Sequence, residues 1–231
     1  MKPSYSRALI IGAGAGLSAS LARLFAANGM GLALAARNTG KLAALAEETG
    51  ASLHTCDAAD QGQVAALFAA LDGEGAPDVV VYNPSARVRG PLIELDPQAV
   101  AQAVQVTAIG AFFVAQEAVK RMQPAGHGAI LFTGASAGVK GYAQSASFAM
   151  GKFALRGLAQ SMARELHPKG IHVGHFVIDG GIRGAAHSEA ADNPDSMLDP
   201  DAIARSYWHF LEQDRSAWAW EIELRPWVER F

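Results

Sequence analysis

The stretch Ala8-Leu9-Ile10-Ile11-Gly12-Ala13-Gly14-Ala15-Gly16-Leu17-Ser18-Ala19-Ser20 decides how this chain of 231 residues folds. Unbroken apolar residues, then glycines at alternate positions, then a run of helical period read as a buried strand, a sharp turn and a helix. Glycine lets a backbone turn tightly and come close to a bound group, and the first amides of a helix have no acceptor within the helix. Such a turn can cradle a diphosphate on its amides. The same small residues could instead serve only close packing of helix on strand. At the opening of a βαβ unit the phosphate reading is preferred, with Gly12, Ala15, Gly16 and Leu17 as candidate contacts.

Outward from this turn, short apolar runs alternate with helical ones. Strands are predicted at 8–13, 31–36, 52–56, 78–83, 128–134, 170–178 and 219–227. Helices are predicted at 17–29, 41–50, 63–71, about 97–122, 145–167 and 199–214. Gly29 and Gly50 read as helix stops and Pro97 as a first-turn residue. Strands that are apolar throughout are buried on both faces, as in a parallel sheet between layers of helices. The β-α-β-α-β order occurring twice gives an α/β, doubly wound, seven-stranded parallel sheet with helices on both faces, in a single domain over 1–231. The polar stretch 183–199 follows the sixth strand and is either a lid over a binding site or a surface loop.

Half of the residues are hydrophobic and 18% are charged, which allows a sizeable core and argues against disorder. A net charge of −3 gives no reason to expect nucleic acid as a partner. The lone Cys56 excludes an internal disulfide and fits a reducing compartment. The N-terminus lacks a signal-peptide pattern, and no apolar run reaches membrane-spanning length without Gly, Arg or Asn interrupting it. A cytoplasmic protein with no membrane partner is the expectation. The histidines show no metal-ligand spacing; His172 and His175 fall on opposite faces of a strand.

The end of the second strand bears on the nucleotide. An acidic residue there would hold ribose hydroxyls and suit NAD. This chain has Ala36-Arg37, and a guanidinium can pair with a 2′-phosphate, so NADP is favoured over NAD. Arg37 could equally be an ordinary exposed charge. Asp57 and Ala58, after the third strand, are placed beside an adenine, although Asp57 could also be a turn former; Asp60 reads as a helix cap.

Together these pieces resemble the short-chain dehydrogenase/reductase family along nearly the whole chain. Its glycine motif is matched by Ile11-Gly12-Ala13-Gly14-Ala15-Gly16-Leu17-Ser18, with Ser18 in place of the last glycine. The asparagine after strand four is matched by Asn83, and the stretch 152–173 resembles the helix and strand that follow the family's catalytic lysine. The resemblance implies a Rossmann-like fold, nicotinamide-dependent oxidoreduction of a small molecule, and Ile182 as a backbone contact to the nicotinamide amide. It also implies a homodimer or homotetramer, through the long helices or through the aromatic tail 217–231, which could otherwise only cap the sheet edge.

The resemblance fails at the catalytic positions. The lysine stands as Lys152, but the tyrosine position holds Phe148, the serine position Ala135 and the asparagine position falls near Thr107. Carbonyl reduction needs a proton for the nascent alkoxide, and a phenyl ring has none to give. Lys152 could hold the nicotinamide ribose and order a water as acid; Ser136 could reach substrate or only form a turn; Tyr142 could swing in as acid or be a plain loop residue. Thr107 reads as a helix-interior hydroxyl bonded to its own backbone. Two functions follow: an NADP-dependent reductase with an atypical proton donor, acting on a carbonyl or activated alkene, or an NADP(H)-binding protein without redox turnover.

Overall fold

The fold is that of a computed structural model, which describes residues 3–184, 187–189 and 192–229. Seven strands form one parallel sheet in the order β3-β2-β1-β4-β5-β6-β7. They are β1 (Arg7–Ile11), β2 (Gly31–Ala36), β3 (Ser52–Thr55), β4 (Val79–Tyr82), β5 (Gly128–Thr133), β6 (Ile171–Ile178) and β7 (Glu221–Leu224). Because side chains alternate across a strand, an all-apolar strand feeds two cores. Leu9, Ile11, Val80, Tyr82, Ile130 and Phe132 face one core, closed by α3 (Gln61–Glu74), α5 (Gly110–Ala125) and α6 (Ala146–Leu166). Ala8, Ile10, Val79, Val81, Ala129 and Leu131 face the other, closed by α1 (Leu17–Ala27), α2 (Ala43–Thr49) and α7 (Pro200–Leu211).

Strand order reverses between β1 and β4, so a crevice opens beyond their C-terminal ends, the usual ligand position in open α/β sheets. β1 stops at Ile11, two residues earlier than its apolar run suggests. Gly12 adopts φ +75°, and the amides of Gly12 and Ala13 both turn onto the Ala35 carbonyl. β7 is likewise shorter than expected, ending before Pro226, which has no N–H for the ladder.

The long helix begins at Pro97 as expected. It runs as α4 (Pro97–Val104), one π turn (Gln105–Ile109) and α5, and ends at Gly126 in the left-handed conformation. By length and composition alone this 29-residue stretch could cross a membrane. Its Ala111, Val114, Ala115, Ala118 and Met122 instead pack into the sheet core.

Of the stretch 183–199, residues 185–186 and 190–191 lie outside the described residues. The remainder is tied down at its base. Arg183 N donates to the Leu198 carbonyl, Leu198 N donates to Gly181, and the Arg183 guanidinium pairs with Glu189 and Asp199. The aromatic tail supplies the sheet edge: Trp218 stacks on His172 at 4.2 Å, while Trp227 is exposed.

Candidate active site

Two cavities lie along the C-terminal edge of the sheet and meet at Asn83 and Ser85. The smaller, about 410 Å³, is walled by the ends of β1, β2 and β3, and brings together Gly12, Arg37, Asp57, Ala58 and Asn83. The larger, about 820 Å³, is walled by the exits of β5 and β6 and the start of α6. It brings together Asn83, Ser136, Tyr142, Lys152 and Ile182. Ala15, Gly16 and Leu17 line neither cavity; they lead into α1, with Gly16 at its N-cap.

At the glycine turn, a side chain on Gly12 would put its Cβ 2.7 Å from the Pro84 ring, so the position admits no larger residue. Asn83 Nδ2 donates to Ser18 Oγ at 2.8 Å, and Ser18 Oγ donates to the Gly12 carbonyl at 3.3 Å. The Ser18 hydroxyl is buried and engaged in joining the turn to the exit of β4. Arg37 is exposed at the cavity mouth, with no carboxylate in ion-pair reach among the described residues. Asp57 lines the cavity and also forms a turn, its carboxylate accepting from Ala59 N at 3.0 Å. Asp60 caps α3 through the amides of Gly62 and Gln63.

In the larger cavity Lys152 is 3% exposed, and its Nζ donates to the Thr133 carbonyl at 2.6 Å. Burial, helped by the positive charge of Arg87, pushes this ammonium down to about 7. One helical turn earlier, the Phe148 ring is 9% exposed. The Arg87 guanidinium lies 3.8 Å from its centroid and Lys152 Nζ 5.7 Å from it. Ser136 opens a 3-10 turn through Gly138, its carbonyl accepting from Val139 and Lys140. Tyr142 is half exposed at the rim. The Lys140 ammonium lies 5.6 Å from the Tyr142 ring and is held above its usual range, first by its hydrogen bond with Tyr142.

Thr107 differs from the sequence reading. It sits in the π turn, fully buried, and its hydroxyl accepts from Ala86 N at 3.1 Å, so it braces the loop after β4. A π turn widens the helix locally and turns this hydroxyl toward that loop.

Three lining residues escaped the sequence reading. Arg87 and Arg89 project into the larger cavity from the loop after β4. Their signal was an alternating Ser-Ala-Arg-Val-Arg at 85–89. Asp179, after β6, is buried and pairs with Lys140 at 3.6 Å and Arg225 at 3.8 Å. Behind the wall, His175 Nδ1 lies 2.9 Å from the Glu221 carboxylate, which also accepts two hydrogen bonds from Arg156. Burial pushes His175 down to about 4. His172 lies on the opposite face of β6, where it stacks on Phe210. No group of three potential metal ligands occurs among the described residues.

A switch-point crevice with a glycine turn at one end and a buried lysine at the other defines a dinucleotide-dependent oxidoreductase class. The sequence profile described as short chain dehydrogenase matches residues 6–193, and the chain belongs to that family. It is 35% identical to a short-chain dehydrogenase from Rhodopseudomonas palustris, covering 97% of this chain and 100% of that one with a TM-score of 0.83. It is 26% identical to a metagenomic short-chain oxidoreductase in complex with NADP, covering 97% and 98% with a TM-score of 0.83. It is also 32% identical over 126 residues to the Homo sapiens 17-beta-hydroxysteroid dehydrogenase type 1; that match spans 54% of this chain and 38% of the human one.

Proposed function

We propose that the protein is an NADP(H)-dependent reductase of a carbonyl or activated alkene whose proton donor is not a side chain at position 148. The observation that carries this reading is the pair of joined cavities, with Arg37 at one end and Lys152 at the other. The lining fits a dinucleotide. The turn leaves open space beside the backbone of Gly14 and Gly16, where a Cβ would meet nothing within 4 Å, and Arg37 has no carboxylate in ion-pair reach among the described residues. Gly12 and the amides at the start of α1 (Ala15, Gly16, Leu17) would hold the diphosphate. Arg37 would hold the 2′-phosphate, Asp57 and Ala58 the adenine, and Asn83, Lys152 and Ile182 the nicotinamide half. When bound, the nicotinamide supplies the hydride.

The chain supplies the rest. Burial brings the ammonium of Lys152 into the neutral range, where an acid is matched to its task. Its ammonium donates a proton to the developing alkoxide through a water in the cavity. Tyr142, beside Lys140, is the competing donor, and Ser136 orients the substrate oxygen from the 3-10 turn. Activity that depends on the Lys152 ammonium falls as pH rises above about 7. The contrary reading, NADP(H) binding without turnover, draws on Phe148 filling the wall beneath Arg87 with no exchangeable proton.

One experiment separates them. NADPH and NADH binding is followed by fluorescence, then turnover is measured over carbonyl and enone panels for the native protein, Phe148→Tyr, Tyr142→Phe and Lys152→Met. The proposal expects turnover by the native protein, its survival in Tyr142→Phe and its loss in Lys152→Met. Turnover by Phe148→Tyr alone overturns it in favour of the binding protein, and absence of binding by either nucleotide overturns both.

We also infer a homodimer through α5 and α6, in a reducing cytoplasmic compartment. Exposed Phe112, Met150 and Phe153 lie on this pair of helices, with exposed Ile109 at the end of the preceding π turn, and exposed apolar side chains of this size call for a cover.

A further inference from the structure

The loop after β4 is built around two buried hydroxyls. Ala86 N donates to Thr107 Oγ1 at 3.1 Å. Val88 N donates to Ser147 Oγ at 2.9 Å, and that hydroxyl donates back to the Val88 carbonyl at 2.9 Å. Both hydroxyls are fully buried, and Gly90 N ties the far end of the loop to the Gln144 carbonyl. Pinning residues 86 and 88 leaves the alternate side chains, Ser85, Arg87 and Arg89, on the cavity side. Neither arginine has a carboxylate in ion-pair reach among the described residues. Of the two carboxylates lining the same cavity, Asp179 is already paired with Lys140 and Arg225, and Glu229 is not within ion-pair distance of either arginine. Among the described residues the cavity therefore carries uncompensated positive charge on a braced strip, with the Arg87 guanidinium carbon held 3.8 Å from the Phe148 ring centroid.

A planar guanidinium held in one orientation recognises a planar oxyanion through paired N–H donors. We propose that the strip Ser85–Arg87–Arg89 is the recognition edge for a carboxylate group on the substrate. The reducible carbonyl would lie at the other end of the molecule, toward Lys152. The role assigned to that carbonyl rests on the reductase reading; the carboxylate site does not. In this arrangement Thr107 and Ser147 are positioning residues for Arg87.

The test has two arms. In the first, benzoate and benzamide are titrated by calorimetry into the protein with and without NADPH. Benzoate is expected to bind about 10- to 100-fold more tightly than benzamide, as loss of charge-assisted hydrogen bonds would give. Arg87→Gln abolishes that preference, and Arg87→Lys restores part of it. In the second, NADPH oxidation is compared for 4-carboxybenzaldehyde, its methyl ester and 4-formylphenyl phosphate. The acid is expected to exceed the ester in kcat/KM by a similar factor, through KM, and Arg87→Gln is expected to collapse that acid-to-ester ratio, whatever its common effect on both substrates through the neighbouring Lys152. Equal binding of benzoate and benzamide, or a benzoate affinity untouched in both Arg87→Gln and Arg89→Gln, overturns the proposal. A phosphate preferred over the carboxylate overturns the assignment of the anion. Benzoate selectivity without any aldehyde turnover upholds the carboxylate site while the reductase reading fails.

Discussion

Lys152→Met is expected to stabilise the cofactor-free protein at neutral pH, and the reason is worked from burial. The ammonium is lowered from 10.5 to about 7 first because folding removes it from water and second by the charge of Arg87, with the Thr133 carbonyl as its acceptor among the described residues. At 1.36 kcal/mol per pH unit, that corresponds to a cost of about 5 kcal/mol to the folded state wherever the group is charged in both states. Below pH 7 the full cost applies. Between 7 and 10.5 the unfolded chain binds a proton that the folded chain does not, so native stability rises with pH, and above 10.5 the cost is gone. Methionine removes the charge but leaves the Thr133 carbonyl without its donor, a loss of about 2 kcal/mol at every pH. The variant should therefore be more stable by about 3 kcal/mol at pH 6.5. Its advantage should shrink by about 1.4 kcal/mol per pH unit above 7 and vanish near pH 9. Urea unfolding of both proteins at pH 6.5, 8 and 9.5 measures this. A difference that does not change with pH, or a variant less stable at pH 6.5, would show that Lys152 is not desolvated and would remove the basis for its role as acid.

Arg37→Ala should weaken NADPH about 10- to 100-fold and NADH little, read by fluorescence titration; equal losses sink the 2′-phosphate assignment. Gly12→Ala meets Pro84 and a positive φ at once, so a lower melting temperature and loss of NADPH binding are expected together. A variant with native stability and affinity would mean that the turn is not the cradle described. Phe112→Asp combined with Phe153→Asp should convert a dimer to a monomer in light scattering, since both rings are half exposed on the α5–α6 face. An unchanged mass would place the interface elsewhere or exclude one.

The central strands β1, β2, β4, β5 and β6 were legible because their runs are buried on both faces, and that pattern has few other solutions; the edge strands β3 and β7 are only partly buried. β2 was placed at its observed ends, and Gly29, Gly50 and Pro97 marked helix limits through their own backbone restrictions. Ends set by tertiary contacts were not legible. β1 loses two apolar residues because Gly12 and Ala13 turn onto Ala35, a partner far along the chain. In the site, Lys152 and Phe148 could be placed because they share one helix face. Arg87 and Arg89 could not, since a loop's direction depends on hydroxyls 21 and 59 residues away. Thr107 was misread for the same reason: its partner lies across the crevice, where helix-interior statistics carry no information.

Thr107 and Phe148 both bear on one loop. Thr107 is short enough to meet Ala86 N, Ser147 holds Val88 from both sides, and Phe148 offers its face to the arginine between them. A tyrosine at 148 would supply a phenol but leave the Arg87 guanidinium over its ring and the loop braced by Thr107. Phe148→Tyr should therefore improve reduction less than the 100- to 10,000-fold typical of a positioned general acid. Adding Thr107→Asn should shift the loop and lower selectivity for carboxylate substrates in the same variant. If Phe148→Tyr alone reaches the full factor with selectivity intact, the two positions act independently.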